Sequence, residues 1–233
     1  MASSPRRRSP LQPEALLHDH PATLRATLVL WALSAFLFIA LAIPLLADIV
    51  QSVDDAMFDA MVWAEWPPVV ALARVLDAVG TVWVTLPIIV AVGAWLAWRR
   101  RWNALASWVL AMIVSQLFIG PVKDLYERVR PPDSLVETTS WSFPSGHSVV
   151  GAAIAISLVI VLVRPGPQRR NLEILAAAFA VVMALSRVYL RAHWLTDVAA
   201  GAALGAAVAI GAAALVHLID DRRHGKAHRD HAV

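Results

Sequence analysis

Apolar positions in this chain fall into long uncharged runs, and charge and proline gather in the short stretches between them. The first run extends from about Leu24 to Leu46. Later ones fall near Val82–Trp98, Ala104–Ile119, Ser148–Val163, Leu172–Leu190 and Leu195–Ile219. Runs of this length suit helices that cross a bilayer, and six are expected. Two stretches break the pattern. Ala47 to Pro68 carries Asp48, Asp54, Asp55, Asp59 and Glu65 beside Trp63 and Trp66, which reads as an exposed interfacial loop. Val69 to Val79 is a short apolar segment holding Arg74 and Asp77, expected as an interfacial helix. Residues 1–23 are polar, with four prolines and the triplet Arg6-Arg7-Arg8, and read as a disordered cytosolic tail. Domain limits follow: 1–23 tail, 24–219 membrane domain, 220–233 a second cytosolic tail. The fold expected is all-α, a six-helix transmembrane bundle.

Composition agrees with that pattern. At 59% hydrophobic residues, the chain belongs in a membrane rather than in water. The absence of cysteine excludes disulfides, thiolate metal sites and a cysteine nucleophile. A pI near 9.9 could suggest nucleic acid, but the basic residues form no single surface, so no such partner is expected. They cluster between apolar runs, which is a topology signal instead. With the N-terminus cytosolic, four clusters share one side: Arg6 to Arg25, Arg99 to Arg101, Arg164 to Arg170, and Arg222 to Arg229. The positive-inside rule then predicts a multi-pass cell-membrane protein with both termini cytosolic. Trp95, Trp98 and Trp102 would mark the inner interface, and Trp63, Trp66, Trp83, Trp141 and Trp194 the outer one.

Three stretches concentrate chemistry on the predicted extracytoplasmic face. They are Lys123 to Pro131, Pro144-Ser145-Gly146-His147, and Ser186-Arg187 followed by His193 and Asp197. Ionisable groups so near lipid are costly and tend to be functional. Together they suit a phosphoryl group, whose dispersed negative charge needs several fixed donors. Lys123 offers a point charge, and Arg130 and Arg187 offer planar forks. Ser145 and Gly146 open directly onto an apolar run, where backbone N–H groups at a helix start form an anion site. His193 and Asp197 are four residues apart, so they share one face at the start of a helix. The carboxylate can fix the imidazole tautomer while Nε2 attacks. His147, on a different run, can protonate the departing oxygen. His193 must begin neutral and His147 protonated. The cations neutralise the charge, so neither metal nor cofactor is expected.

The pattern K-x6-R-P, P-S-G-H, S-R-x5-H-x3-D resembles the three-part signature of the type 2 phosphatidic acid phosphatase superfamily, which also includes bacterial acid phosphatases and vanadium haloperoxidases. Every signature position between Lys123 and Asp197 is filled. The six-run layout is similar to the bacterial membrane lipid phosphatases. That resemblance implies His193 as a nucleophile that becomes a phosphohistidine, with Asp197 orienting it. It implies His147 as acid and then as the base that activates water. Lys123, Arg130, Ser145, Gly146 and Arg187 would bind phosphate. The implied activity is hydrolysis of phosphate monoesters or diphosphates on lipids, of the polyprenyl diphosphate, phosphatidic acid or phosphatidylglycerophosphate class. A phosphotransferase with the same intermediate, and a non-catalytic lipid-phosphate binder or transporter, are the alternatives. An intact His193–Asp197 pair argues against the binder, because binding needs only the cations.

Other features are read more plainly. Arg128, Arg191, Tyr126 and Tyr189 lie beside the signature without belonging to it. His224, His228 and His231 are expected to be solvated, and Gly201-x3-Gly205 to pack a helix within the bundle.

Overall fold

The structure, a computed structural model, describes residues 20–164 and 166–230, with side chains over 25–164 and 166–222. Nine helices and no strand occur among them. In chain order these are α1 (His20–Ala42), α2 (Pro44–Trp63), α3 (Pro67–Gly80), α4 (Val82–Trp98) and α5 (Trp102–Leu117). Then come α6 (Ile119–Tyr126), α7 (Gly146–Leu162), α8 (Pro167–Tyr189) and α9 (Leu195–Asp230). Prolines open α2, α3 and α8, where the missing N–H removes no helical bond. The all-α expectation holds. The tail readings for 1–23 and 220–233, and His224, His228 and His231, fall largely outside the described residues and side chains.

Four helical stretches are long and apolar enough to cross a membrane: 25–42, 102–126, 167–189 and 195–222. A fifth arises if α3 and α4 count as one span bent by 49° at Gly80–Thr81. α7, expected as a full span, is an apolar helix of 17 residues. Six spans are therefore not reached by length and composition alone.

One element differs outright from the sequence reading. The acidic stretch 47–68, read as an interfacial loop, is mostly the helix α2. Its acids are compatible with a helix because Asp48, Asp55 and Asp59 lie on exposed positions, whereas Asp54 is turned inward and is 1% exposed. The expected helix over 69–79 is present as α3, longer by two residues at its start and one at its end.

α9 is the central helix, packed against α1, α5, α7 and α8. Its first half is mostly alanine and glycine, and this composition sets how near its neighbours come. A Cβ at Gly201 would lie 2.8 Å from the Ser145 carbonyl oxygen, and one at Gly205 would overlap the Val149 carbonyl. The backbones of α7 and α9 are thus in contact, which is what small residues at a helix interface permit. Gly201-x3-Gly205 packs within the chain, as expected. The largest apolar cluster joins Trp108, Met112, Val150, Ile154 and Val208 from α5, α7 and α9. This crossing fixes the starts of α7 and α9 side by side. A hydrogen bond from the Ser145 N–H to the Asp197 carbonyl, 3.2 Å long, ties them.

Candidate active site

All eight sequence-predicted site residues belong to the end of the bundle where α6 and α8 finish and α7 and α9 begin. Lys123 lies in the last turn of α6, and Arg187 in the last turn of α8. Arg130 and Ser142 sit in the loop from α6 to α7, and His193 in the turn from α8 to α9. A non-glycine residue with positive φ follows each of these helix ends, Glu127 (43°) after α6 and Arg191 (54°) after α8. Each reverses the chain directly after a cationic helix end.

His193 is buried, at 3% exposure, and its two ring nitrogens face opposite charges. Nδ1 lies 3.4 Å from Asp197 Oδ2, and Arg130 Nη1 lies 3.2 Å from Nε2. A guanidinium donates only, so Nε2 presents its lone pair to Arg130 and the proton resides on Nδ1, toward the carboxylate. Burial pushes the His193 imidazole down to about 3; Asp197 opposes that shift, and Arg130 and Arg187 add to it. The ring is neutral at physiological pH, as a nucleophile requires.

Arg130 is held from several sides. Its Nε donates to the Ser140 carbonyl at 2.6 Å, Nη2 to the Trp141 carbonyl at 3.2 Å, and Nη1 to the Ala192 carbonyl. Burial and the neighbouring Arg187 lower its pKa from the usual guanidinium range. Lys123 Nζ donates to the Trp141 carbonyl, so the same peptide anchors two cations. Arg187 pairs through Nη1 with Asp77 of α3, and its buried Nε has no protein partner.

The start of α7 is capped by Ser145. Its hydroxyl accepts from the Ser148 N–H at 3.4 Å and from the Ser148 hydroxyl at 3.1 Å. The expected anion-donor role is therefore shared with a cap, which is worth about 1 kcal/mol by itself. A Cβ at Gly146 would meet only Ile119, at 3.7 Å, so packing does not demand glycine there. His147 is partly exposed, and its Nε2 lies 3.2 Å from Asp77 Oδ1 and 3.1 Å from the Asp77 carbonyl oxygen.

The structure adds supports that the signature does not contain. Asp197 is fully buried; Oδ1 pairs with Arg128 Nη1 at 2.6 Å, while Oδ2 accepts from Ser142 Oγ at 2.5 Å and from the Trp194 N–H at 3.0 Å. Arg128 continues to Asp54 Oδ2 at 2.7 Å and to the side-chain oxygen of Gln51 at 2.8 Å. Asp54 in turn accepts from Thr196, through its N–H at 2.9 Å and its hydroxyl at 2.5 Å. Both oxygens of the Asp197 carboxylate are thereby hydrogen-bonded, which a buried charge needs. Asp54 belongs to this network rather than to a solvated loop, whereas Asp55 and Asp59 are exposed.

Of the four residues flanking the signature, Arg128 alone joins it, by contact with Asp197. Tyr126 donates to the Phe38 carbonyl and packs on Phe38 and Phe143. Tyr189 donates to the Ala64 carbonyl and accepts from the Trp66 N–H, pinning the α2–α3 turn to α8. Arg191 pairs with Glu65 at the same turn.

A family model described as the PAP2 superfamily matches residues 102–221. The chain is 35% identical over 179 residues to phosphatidylglycerophosphatase B of Bacillus subtilis (strain 168), covering 74% of this chain and 88% of that protein. It is 28% identical over 147 residues to an undecaprenyl-diphosphatase of Sulfolobus acidocaldarius, covering 60% of this chain and 58% of that one. Among solved structures it resembles a transmembrane PAP2-type phosphatidylglycerolphosphate phosphatase from Bacillus subtilis. The TM-score is 0.70 at 32% identity, over 84% of this chain and 96% of that one.

Proposed function

The chain belongs to the PAP2 superfamily and is a membrane lipid phosphatase, and from that premise we propose that it hydrolyses lipid phosphate monoesters or diphosphates through a phosphohistidine on His193. The observation that carries this reading is the pair of contacts on the His193 ring, with Asp197 on Nδ1 and Arg130 against Nε2. That arrangement holds a neutral imidazole whose lone pair opens onto a cation, and a phosphoryl group drawn to Arg130 arrives beside the attacking nitrogen.

In the forward step Nε2 forms a bond to phosphorus as the P–O bond to the lipid breaks. Lys123, Arg130, Arg187 and the N–H groups at the start of α7 neutralise the non-bridging oxygens. His147 gives its proton to the departing oxygen and becomes neutral. In the return step His147 takes a proton from water, the water oxygen bonds to phosphorus, and the P–N bond breaks to release phosphate. Asp197 holds the positive charge that His193 carries between the two steps.

The substrate is proposed to be a lipid whose headgroup reaches an interfacial site while its tail stays in the bilayer. The orientation proposed has both termini in the cytosol and the site outside. A single cysteine at Ser134, in a chain that has none, should be labelled from outside by an impermeant reagent. Labelling only after permeabilisation would invert that orientation.

The deciding experiment is phosphate release by the detergent-solubilised protein from purified phosphatidic acid, phosphatidylglycerophosphate and undecaprenyl diphosphate. Turnover of at least one of them is expected. Release that depends on an added alcohol acceptor would point to the phosphotransferase instead. Binding without release from any of them would point to a non-catalytic binder.

A further inference from the structure

The carboxylate of Asp77 lies outside the signature and outside the stretch matched by the family model, yet it touches two of the proposed site residues. It pairs with Arg187 Nη1, and the same oxygen, Oδ1, lies 3.2 Å from His147 Nε2. Its backbone carbonyl is 3.1 Å from that same nitrogen. Three residues on, Gly80 closes α3 against the ring. A Cβ there would overlap His147 Cδ2, so the absence of a side chain at 80 leaves the imidazole its place. Arg74, one turn earlier on the same helix, donates to the Leu135 carbonyl at 3.3 Å and ties this face of α3 to the α6–α7 loop.

We propose that Asp77 is the positioning residue of the general acid, so that the site contains two histidine–carboxylate pairs with opposite duties. The inference rests on the phosphatase reading given above. In the first pair Asp197 takes Nδ1 of His193 and leaves Nε2 to attack. In the second, Asp77 takes Nε2 of His147 with its carboxylate and its carbonyl, both acceptors. An acceptor on Nε2 requires that nitrogen to carry hydrogen. Nδ1 has no hydrogen-bond partner among the described residues, and it is the nitrogen left to deliver the proton. As the P–O bond breaks, that proton moves from Nδ1 to the lipid oxygen, and the ring stays anchored by its Nε2–H. Arg187 and Arg130 crowd the same space with positive charge, and Asp77 is the carboxylate placed against the acid to offset them. Asp77 also occupies one nitrogen of the Arg187 fork, while the Arg187 Nε stays without a protein partner.

The test compares two leaving groups in purified protein. The diacylglycerol of phosphatidic acid is a poor leaving group as an alkoxide and needs the acid; 4-nitrophenyl phosphate releases a stable phenolate and does not. General acid catalysis is typically worth about 10²–10⁴-fold. Asp77→Asn, which misplaces the acid without removing it, should therefore lower kcat on phosphatidic acid by roughly 30-fold, part of that full effect, and on 4-nitrophenyl phosphate by less than about threefold. Asp77→Glu should regain part of the loss. The double variant Asp77→Asn with His147→Ala should be no worse than His147→Ala alone. If Asp77→Asn is not recovered folded, Gly80→Ala, which presses a methyl group on the His147 ring, must show the same split between substrates. An equal fall on both esters, or losses that multiply in the double variant, would overturn the role of Asp77 and leave the phosphatase reading standing. A wild-type protein that releases phosphate neither from these two esters nor from phosphatidylglycerophosphate or undecaprenyl diphosphate would overturn the reading and this inference together.

Discussion

The helices before Arg99 and the chain after Arg101 contribute unequal shares to the same site. The later half supplies Lys123, Arg130, Arg187 and both histidines, on helices that pack through alanine and glycine around α9. The earlier half exposes large apolar residues such as Phe36, Leu45, Trp83 and Val90, suited to lipid. What it sends inward is acidic: Asp54 from α2 and Asp77 from α3. The later half thus carries the groups that would meet a phosphate dianion, with Asp197 as their one carboxylate, and the earlier half adds the two carboxylates on Arg128, Arg187 and His147. A cluster of like charges this dense needs such counter-charges to stay compact, and carboxylates that faced the phosphate directly would repel it.

The largest effect expected on either side of this division is on the nucleophile. His193→Ala should reduce turnover at least about a thousandfold, the order expected when one essential catalytic group is lost, with folding intact. Residual activity above that level would mean that the later half does not supply the nucleophile from this position. Asp54→Ala comes next and tests the earlier half. Removing one partner of a buried ion pair typically costs about 3–5 kcal/mol. Arg128 keeps Asp197 as a second partner, so about 3 kcal/mol is expected, read as a lower thermal midpoint in detergent. An unchanged midpoint would reduce Asp54 to a bystander. Gly205→Ala should cost about 2 kcal/mol by overpacking α9 on α7, with both halves losing their common frame; the same thermal measurement checks it.

The smallest effect concerns pH. The folded His193 stays neutral down to about 3, against about 6.5 in an unfolded chain. Between those values the unfolded chain takes up a proton that the folded one refuses, so His193 contributes a loss of stability as pH falls below 6.5 and none above it. Its activity as a nucleophile should not fall between pH 7 and 5. Nitrogen-15 NMR of the labelled imidazole should report a neutral ring at pH 5; a protonated ring there would place His193 in a wetter site than its surroundings indicate.

The two halves also differ in how much of them can be read from sequence. Lys123, Arg130 and His147 announce themselves at the ends of apolar runs, beside an aspartate, a proline and a glycine, and Arg187, His193 and Asp197 do so by their spacing around the break between two such runs. Their supports lack such local marks. Asp54 reaches Arg128 across 74 positions, and Asp77 reaches His147 across 70. The acids of α2 look like those of a loop because three of them do face outward, and only the helical turn brings the fourth inside. Asp77 did carry one usable sign, an ionisable side chain inside an otherwise apolar stretch, the kind of position that is functional by default near a membrane. The first predicted span ran through Pro44, where the chain in fact breaks between α1 and α2. Helix α7, at 17 residues, is apolar but shorter than the other candidate spans, and its first turn belongs to the site.

The backbone contact between α7 and α9 has a mechanical consequence. Helices that touch through glycine have no side chains whose rotamers could take up a sliding motion, and a shift of either would drive carbonyl oxygens into the neighbouring chain. Ser145, His147 and Asp197 therefore move as one body, with His193 attached to it through the turn before α9. A lipid with two or more tails needs a passage wider than its phosphate, and that body cannot open to provide one. The parts left to yield are α2 and α3, which meet the site through side chains, and the bend at Gly80–Thr81 that joins α3 to α4. Opening there would draw Asp77 away from Arg187 and His147, and closing would return it. On the proposed mechanism, admission of the substrate and arming of the acid would then be two phases of a single movement.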